Sequence, residues 1–308
     1  MDSPAQTSFR MPEFCRTAWV SDEAAQAWKP RLERIHAAWR EIEWRSVKAG
    51  IRRAALAAIG PEELPEFSKR CAREGLSVLP LALTGGGGQF RNRETPLRFG
   101  EPIEVRAVVA GVRDTARFAD AWDARNDVAV GRLLGYPPCC TRFFREHWAR
   151  RKLFDTTWPM ACNSVGDASG STITLPGVPE TNILCRWIGA RLVPHLPCSM
   201  ACEGSIELGR AMAELGRAEG YGEEMGWAED VLNWPAEWSA LNGIAIIKLP
   251  VVKITASTDM QHEPRVLRLL GSKYPSHAAR GLGFPYQRSK NFETPHRPEA
   301  ATRVRTTP

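Results

Sequence analysis

The chain has 308 residues, of which 43% are hydrophobic and 25% are charged, and this composition is typical of a globular protein that buries its own core. No run approaches the roughly 18 apolar residues of a membrane span. The first residues also lack the order of a secretion signal, so we expect a cytoplasmic protein without a membrane partner. The net charge is +6, and the segment 273–308 supplies +5 of it. Because the remainder is nearly neutral, we do not expect a dedicated nucleic-acid surface.

Apolar residues at helical spacing predict five helices, at 22–58 (interrupted near Pro30), 61–73, 112–134, 137–152 and 197–217. Alternating or β-branched runs predict four strands, at 77–83, 103–109, 243–249 and 251–255. The last two strands are separated by Pro250 and are therefore expected at an edge or a bulge. The segment 155–180 is rich in Pro, Gly, Ser and Thr and is expected to be mostly loop.

These elements predict a mixed α/β fold that is predominantly helical around a small β-sheet. We expect one globular domain over residues 1–272, with an N-terminal helical layer at 22–73 and a core at 112–218 that carries the cysteine motifs. The segment 273–308 contains five prolines and few large apolar residues. We expect it to be a basic, mobile tail.

The chain has eight cysteines, and four of them form two close pairs. Cys139 and Cys140 are adjacent, whereas Cys198 and Cys202 are four residues apart. In a reducing compartment, clustered cysteines are more often metal ligands or catalytic thiols than disulfide partners. The four remaining cysteines stand alone and are expected to be small packing residues.

The first pair lies in the motif G-Y-P-P-C-C at 135–140. Gly135 is expected to end one helix, and Pro138 suits the first position of the next helix, where its missing N–H is no loss. Cys139 and Cys140 would then lie in the first helical turn, where the dipole favours the thiolate.

The second pair lies in H-L-P-C-S-M-A-C at 195–202. Pro197 predicts another helix start, which would place Cys198 and Cys202 on the same helical face, one turn apart. Such a pair can contribute two ligands to one centre, and we expect the two helix starts to meet in space. The resulting metal ligands would be Cys139, Cys140, Cys198 and Cys202, with His195 as a further candidate.

Thiolate ligands at irregular spacing favour an iron–sulfur cluster, 4Fe-4S first, while a Cys₄ or Cys₃His zinc site stays open as the alternative. The segment C-x-x-x-C-x-x-S resembles the C-x-x-x-C-x-x-C of radical enzymes, but Ser205 occupies the place of the third cysteine. That substitution disfavours ordinary radical chemistry with S-adenosylmethionine.

The two motifs, within about Gly131 to Leu208, resemble a prokaryotic family of unknown function that carries G-Y-P-x-C-C followed by H-x-P-C-S-x-x-C. The resemblance implies linked use of the four paired cysteines together with His195. It implies no reaction.

The leading hypothesis is an iron–sulfur-dependent enzyme, of lyase or sulfur-transfer type, that acts on a small metabolite. Glu203, His195 and His147 are the candidate acid–base residues. Two alternatives remain: a non-catalytic binding or scaffold protein stabilised by zinc, and a thiol oxidoreductase. The sequence predicts neither the substrate nor the oligomeric state.

Overall fold

The computed structural model describes residues 14–85, 103–166 and 170–276. Of these residues, 47% are helical, counting 3₁₀ and π segments, and 23% lie in strands. The α-helices are α1 (Asp22–Lys48), α2 (Leu64–Arg73), α3 (Val112–Asp123), α4 (Asp127–Leu133), α5 (Pro138–Phe143), α6 (Thr157–Val165), α7 (Glu203–Ala218) and α8 (Gly222–Leu232). The strands are β1 (Cys15–Trp19), β2 (Ala54–Ile59), β3 (Ser77–Gly85), β4 (Ile103–Ala110), β5 (Thr172–Pro176), β6 (Ala236–Leu241), β7 (Ile244–Lys248), β8 (Val252–Ser257) and β9 (Arg265–Leu270).

The larger sheet has six strands in the order β1-β8-β7-β6-β9-β5. All neighbouring pairs are antiparallel except β5 and β9. Helices α1, α7 and α8 pack together, and the apolar face of α1 shares one core with the inner face of this sheet. Within that core, the rings of Trp28 and Trp234 meet edge to face at 4.6 Å.

The smaller sheet has the order β2-β4-β3 and is covered on both faces. Phe67 of α2 packs on one face and Phe118 of α3 on the other. Helix α4 follows α3 and ends just before Gly135, whose φ of +72° is a left-handed conformation that suits glycine. A Cβ here would also lie 2.9 Å from the Cγ of buried Arg52. This turn directs the chain from the smaller sheet into the first cysteine motif.

The prediction of a mainly helical fold around a small sheet is wrong, because nine described strands form two sheets. The predicted helix at 22–58 ends at Lys48, and residues 54–59 form β2 despite their alanine-rich sequence. Pairing with β4 outweighs the helix propensity of this segment. Pro30 does not interrupt α1.

Two further predictions are wrong in the second half of the chain. The segment 155–180, predicted as loop, contains α6 and β5. Strands β7 and β8 lie inside the larger sheet rather than at its edge. Their central position is possible because the intervening Pro250 falls in the turn between them and interrupts neither ladder.

The predicted division into a domain at 1–272 and a tail at 273–308 stays a prediction. Residues 277–308 lie outside the described ranges. Of the four described residues of the tail, Lys273 forms a 2.6 Å ion pair with Asp230 of α8. Among the described residues, no helix combines the length and the apolar character needed to cross a membrane.

Candidate metal centre

The first cysteine pair opens α5, as predicted. Pro138 is the first residue of this helix, and Pro137 precedes it in an extended conformation with φ −55° and ψ 138°. Cys139 and Cys140 therefore both lie in the first turn of the helix. Cys140 is buried, with 2% of its surface exposed, whereas Cys139 is exposed.

The second pair lies in a turn and not on a helix, which corrects the helix predicted at 197–217. Helix α7 begins at Glu203, and Cys202 is its N-cap residue. The N–H of Cys202 donates to the carbonyl of Ser199 at 3.4 Å, so the chain turns back between Cys198 and the helix. Cys202 is buried and Cys198 is half-buried.

Side chains from two neighbouring segments hold this turn in place. The Asn163 amide of α6 donates to the carbonyl of Cys198 at 3.1 Å. The hydroxyl of Ser164 accepts from the N–H of Met200 at 2.8 Å, and the hydroxyl of Thr181 donates to the carbonyl of Met200 at 2.7 Å. Because these bonds fix main-chain atoms of Cys198 and of Met200, which lies midway between the two cysteines, they constrain the turn before any ion binds.

The four sulfurs form one compact group. The Sγ atoms of Cys139, Cys140, Cys198 and Cys202 all lie within 4.8 Å of one another. The Sγ of Cys202 lies 3.6 Å from that of Cys139 and 3.5 Å from that of Cys140. The prediction that the two motifs meet is therefore confirmed, and these four cysteines can bind a metal ion.

Ionisation in this group is uneven. Hydrogen bonds from neighbouring thiols, above all Cys140, lower the pKa of Cys198 to about 5. Burial, followed by hydrogen bonds to Cys202 and Cys198, raises the pKa of Cys139 to about 11. The pKa of Cys140 is also raised, first because its thiol donates to Cys198 and then because it is buried. Without metal, the group therefore favours one thiolate surrounded by donating thiols.

His195 is buried, and it lies behind the sulfurs rather than among the four ligands. Its Nε2 lies 2.8 Å from the hydroxyl oxygen of Ser205, which in turn lies 3.2 Å from the Sγ of Cys140. The imidazole ring also packs on Tyr136, at 5.0 Å between ring centroids. The sequence drew attention to Ser205 only as a missing cysteine, and its position three residues after Cys202 was the available signal.

The other two candidate catalytic residues lie on the flanks of the site. Glu203 is the exposed first residue of α7 and adjoins Cys202. His147 lies in a π-helical segment (Phe144–Arg150) that continues α5, and its ring packs 4.5 Å from that of Phe143. Burial, and then the nearby charge of Arg151, lower the pKa of His147. A catalytic role for either residue stays a prediction.

Two cavities in the described part of the chain lie away from the four sulfurs. One, of about 310 Å³, lies between α1 and the segment around Trp187, and the other, of about 130 Å³, lies beside α7 and α8. Neither is lined by a cysteine of the group. Comparisons with protein-family models, curated proteins and solved structures found no match for this chain.

Proposed function

We propose that the protein binds a single zinc ion through Cys139, Cys140, Cys198 and Cys202, and that the ion joins the start of α5 to the turn before α7. The protein is then a zinc-stabilised binding or scaffold protein. This is the alternative that the cysteine spacing alone left open.

The close spacing of the four sulfurs is the observation that carries this proposal. With zinc–sulfur bonds of about 2.3 Å, the sulfurs of a tetrahedral site lie about 3.8 Å apart. Two of the sulfur–sulfur contacts here are 3.5 and 3.6 Å, and no pair exceeds 4.8 Å. The group therefore needs only small shifts to surround one ion.

A four-iron cluster fits this spacing poorly. Iron and sulfide ions stand between its cysteine ligands, so the four thiolate sulfurs of such a cluster lie about 6 Å apart. Binding one would require Cys140 and Cys202, which are both buried, to separate substantially. For that reason we favour a mononuclear site over the iron–sulfur enzyme that irregular cysteine spacing suggests.

The surroundings support a structural site. Cys140 and Cys202 are buried, and all four donors are sulfur, which suits a closed tetrahedral zinc site. The positive end of the α7 dipole lies at Cys202, where it stabilises negative charge on thiolates.

Metal analysis of the full-length protein, purified anaerobically, tests the proposal. We expect a colourless protein with one zinc per chain, and X-ray absorption that shows four sulfurs at about 2.3 Å with no metal–metal scattering. Serine substitutions at Cys140 or Cys202 should abolish stoichiometric zinc, whereas Cys15→Ser, at an exposed cysteine of β1, should leave it unchanged. A brown protein with iron and acid-labile sulfide would overturn the proposal in favour of a cluster.

The same protein preparation distinguishes a zinc site from the remaining alternative, a thiol oxidoreductase. A thiol oxidoreductase would contain no stoichiometric metal and would form a disulfide reversibly within the group. If the wild-type protein takes up no zinc yet cycles between a dithiol and a disulfide, the cysteines serve redox chemistry instead.

A further inference from the structure

Two polar groups other than thiols lie against the sulfur of Cys140. The N–H of Cys198 donates to its Sγ at 3.4 Å, and the Ser205 hydroxyl lies 3.2 Å from the same atom. Ser205 has no exposed surface, and His195, its other partner, is only 5% exposed. Bulk water is therefore kept away from these contacts, and the protons must be shared among the protein groups themselves.

The positions of the protons between Cys140, Ser205 and His195 depend on whether Cys140 is a thiol or a thiolate. A Cys140 thiol that turned its single proton from Cys198 to Ser205 would let Ser205 donate to Nε2 of His195, which would place the imidazole proton on Nδ1. A thiolate can only accept, so the single hydroxyl proton of Ser205 must point at the sulfur. The Ser205 oxygen is then free to accept a hydrogen bond from Nε2–H.

From this geometry we infer that Ser205 and His195 form a relay that donates a hydrogen bond to the Cys140 thiolate when the metal site is filled, with His195 held in its Nε2–H tautomer. The inference rests on the proposed metal site and assigns the second motif's histidine to positioning a ligand. In this role, both Ser205 and His195 act through Cys140 and neither touches the ion.

The other ring nitrogen of His195 supports this assignment. Among the described residues, buried Nδ1 has no hydrogen-bond partner. A buried N–H without an acceptor is rarer and costlier than an acceptor without a donor. The Nε2–H tautomer leaves only the lone pair of Nδ1 without a partner, whereas the Nδ1–H tautomer would leave a buried N–H without an acceptor.

The charge state of the ring agrees with the relay. Burial, and then the positive charge of Arg52, lower the pKa of His195 to about 3. The imidazole is therefore neutral at physiological pH and can donate through only one nitrogen. Packing against Tyr136, whose hydroxyl donates to the carbonyl of Pro194 at 3.1 Å, fixes the ring beside Ser205.

Zinc affinity tests the relay, measured on full-length protein by competition with a chromophoric chelator. Ser205→Ala should weaken zinc binding by about 10- to 100-fold, as is typical when the partner of a metal ligand is lost. His195→Met, which fills space without a donor, should weaken it similarly, whereas His195→Gln should restore affinity to within a few fold. Ser257→Ala, at an equally buried hydroxyl of β8, is the matched control. Equal affinity for the wild-type protein and Ser205→Ala would overturn the inference.

A spectroscopic measurement separates this role from simple packing. Long-range ¹H–¹⁵N correlation spectra of histidine-labelled protein report the tautomer of each ring, and loss of one signal set in His195→Gln assigns the residue. We expect zinc-loaded protein to show His195 protonated on Nε2. An Nδ1–H tautomer in loaded protein would overturn the relay alone, while a wild-type protein that takes up no zinc would overturn both the relay and the proposed site.

Discussion

The four cysteines of the group differ in exposure and in ionisation, and these two properties act in opposite directions on reactivity. Cys139 is exposed, but the pKa of its thiol is raised to about 11, so about one molecule in ten thousand is ionised at pH 7. Cys198 is half-buried, but its pKa is lowered to about 5, so it is almost fully ionised at that pH. Partial burial of Cys198 slows its reaction with a small reagent far less than the scarcity of thiolate slows the reaction of Cys139. The difference in ionisation therefore determines which cysteine reacts first.

We therefore predict that iodoacetamide modifies Cys198 before Cys139 in metal-free protein at pH 7. Because a lowered pKa keeps the thiolate present well below neutrality, the rate should stay nearly constant between about pH 6.5 and 8. Peptide mass spectrometry after timed quenching measures both rates, with exposed Cys15 as the internal control. Labelling of Cys139 first, with a rate that rises tenfold per pH unit, would contradict the assignment of the thiolate.

At the scale of single residues, the sequence predicted that the four paired cysteines come together, but not which side chains contact them. The two cysteine pairs were recognisable because each follows a proline at a predicted helix start, and the structure brings the four sulfurs together. The relay through Ser205 could not be predicted in the same way. A serine next to a sulfur and a histidine behind it depend on side-chain packing between segments that spacing along the chain does not report.

Among the elements, α5 begins where the sequence predicts and α7 does not. Pro138 occupies the first turn of α5 because its fixed φ suits a helix start. The same rule fails after Pro197, where Asn163, Ser164 and Thr181 bond to the backbone of Cys198 and Met200 and hold that stretch as a turn. Long-range hydrogen bonds of this kind carry no local sequence signal.

The first turn of α7 approaches the first motif closely at Gly204. A Cβ at this position would lie 3.1 Å from the Cγ of Pro137, which is tighter than an ordinary contact. Gly204→Val should therefore push α7 away from the start of α5 and weaken zinc binding by about tenfold, a loss of about 1.4 kcal/mol.

Gly226→Val is the matched control, because a Cβ on Gly226 of α8 meets nothing within 4 Å. Both variants place a β-branched residue in a helix, so their difference isolates the contact with Pro137. Zinc competition measures the difference in affinity between the two variants, and thermal melts measure the difference in stability. Equal zinc affinity in both variants would show that this contact does not position the site.

Across the whole molecule, the sequence could predict the presence of helices and strands better than their arrangement. Strand β1 pairs with β8, with Arg16 opposite Thr255, so one edge of the larger sheet is formed by a strand far away along the chain. Individual runs such as 243–249 and 251–255 were recognisable as strands. Their pairing partners, which determine whether a strand is central or at an edge, were not.

We expect the main core to stay folded without metal, because many large apolar side chains are buried in it. It unites α1, α7, α8 and the larger sheet, and Trp39, Trp234 and Trp238 are among its fully buried side chains. We predict that stripping zinc with a chelator lowers the melting temperature but leaves far-ultraviolet circular dichroism at 25 °C almost unchanged. Added zinc should then raise the melting temperature as its free concentration exceeds the dissociation constant. Complete loss of secondary structure on chelation would show that the core depends on the ion.

The backbone contact from Cys198 to Cys140 spans 58 positions of the chain. An ion held by both pairs would act as a removable cross-link around the whole intervening stretch, which includes α6 and β5. Such a tether would restrict the unfolded chain as a disulfide does, with a loop-closure contribution of about 4 kcal/mol if it persisted during unfolding. Zinc supply would then set how far this stretch of the chain can open, without any change in its folded contacts.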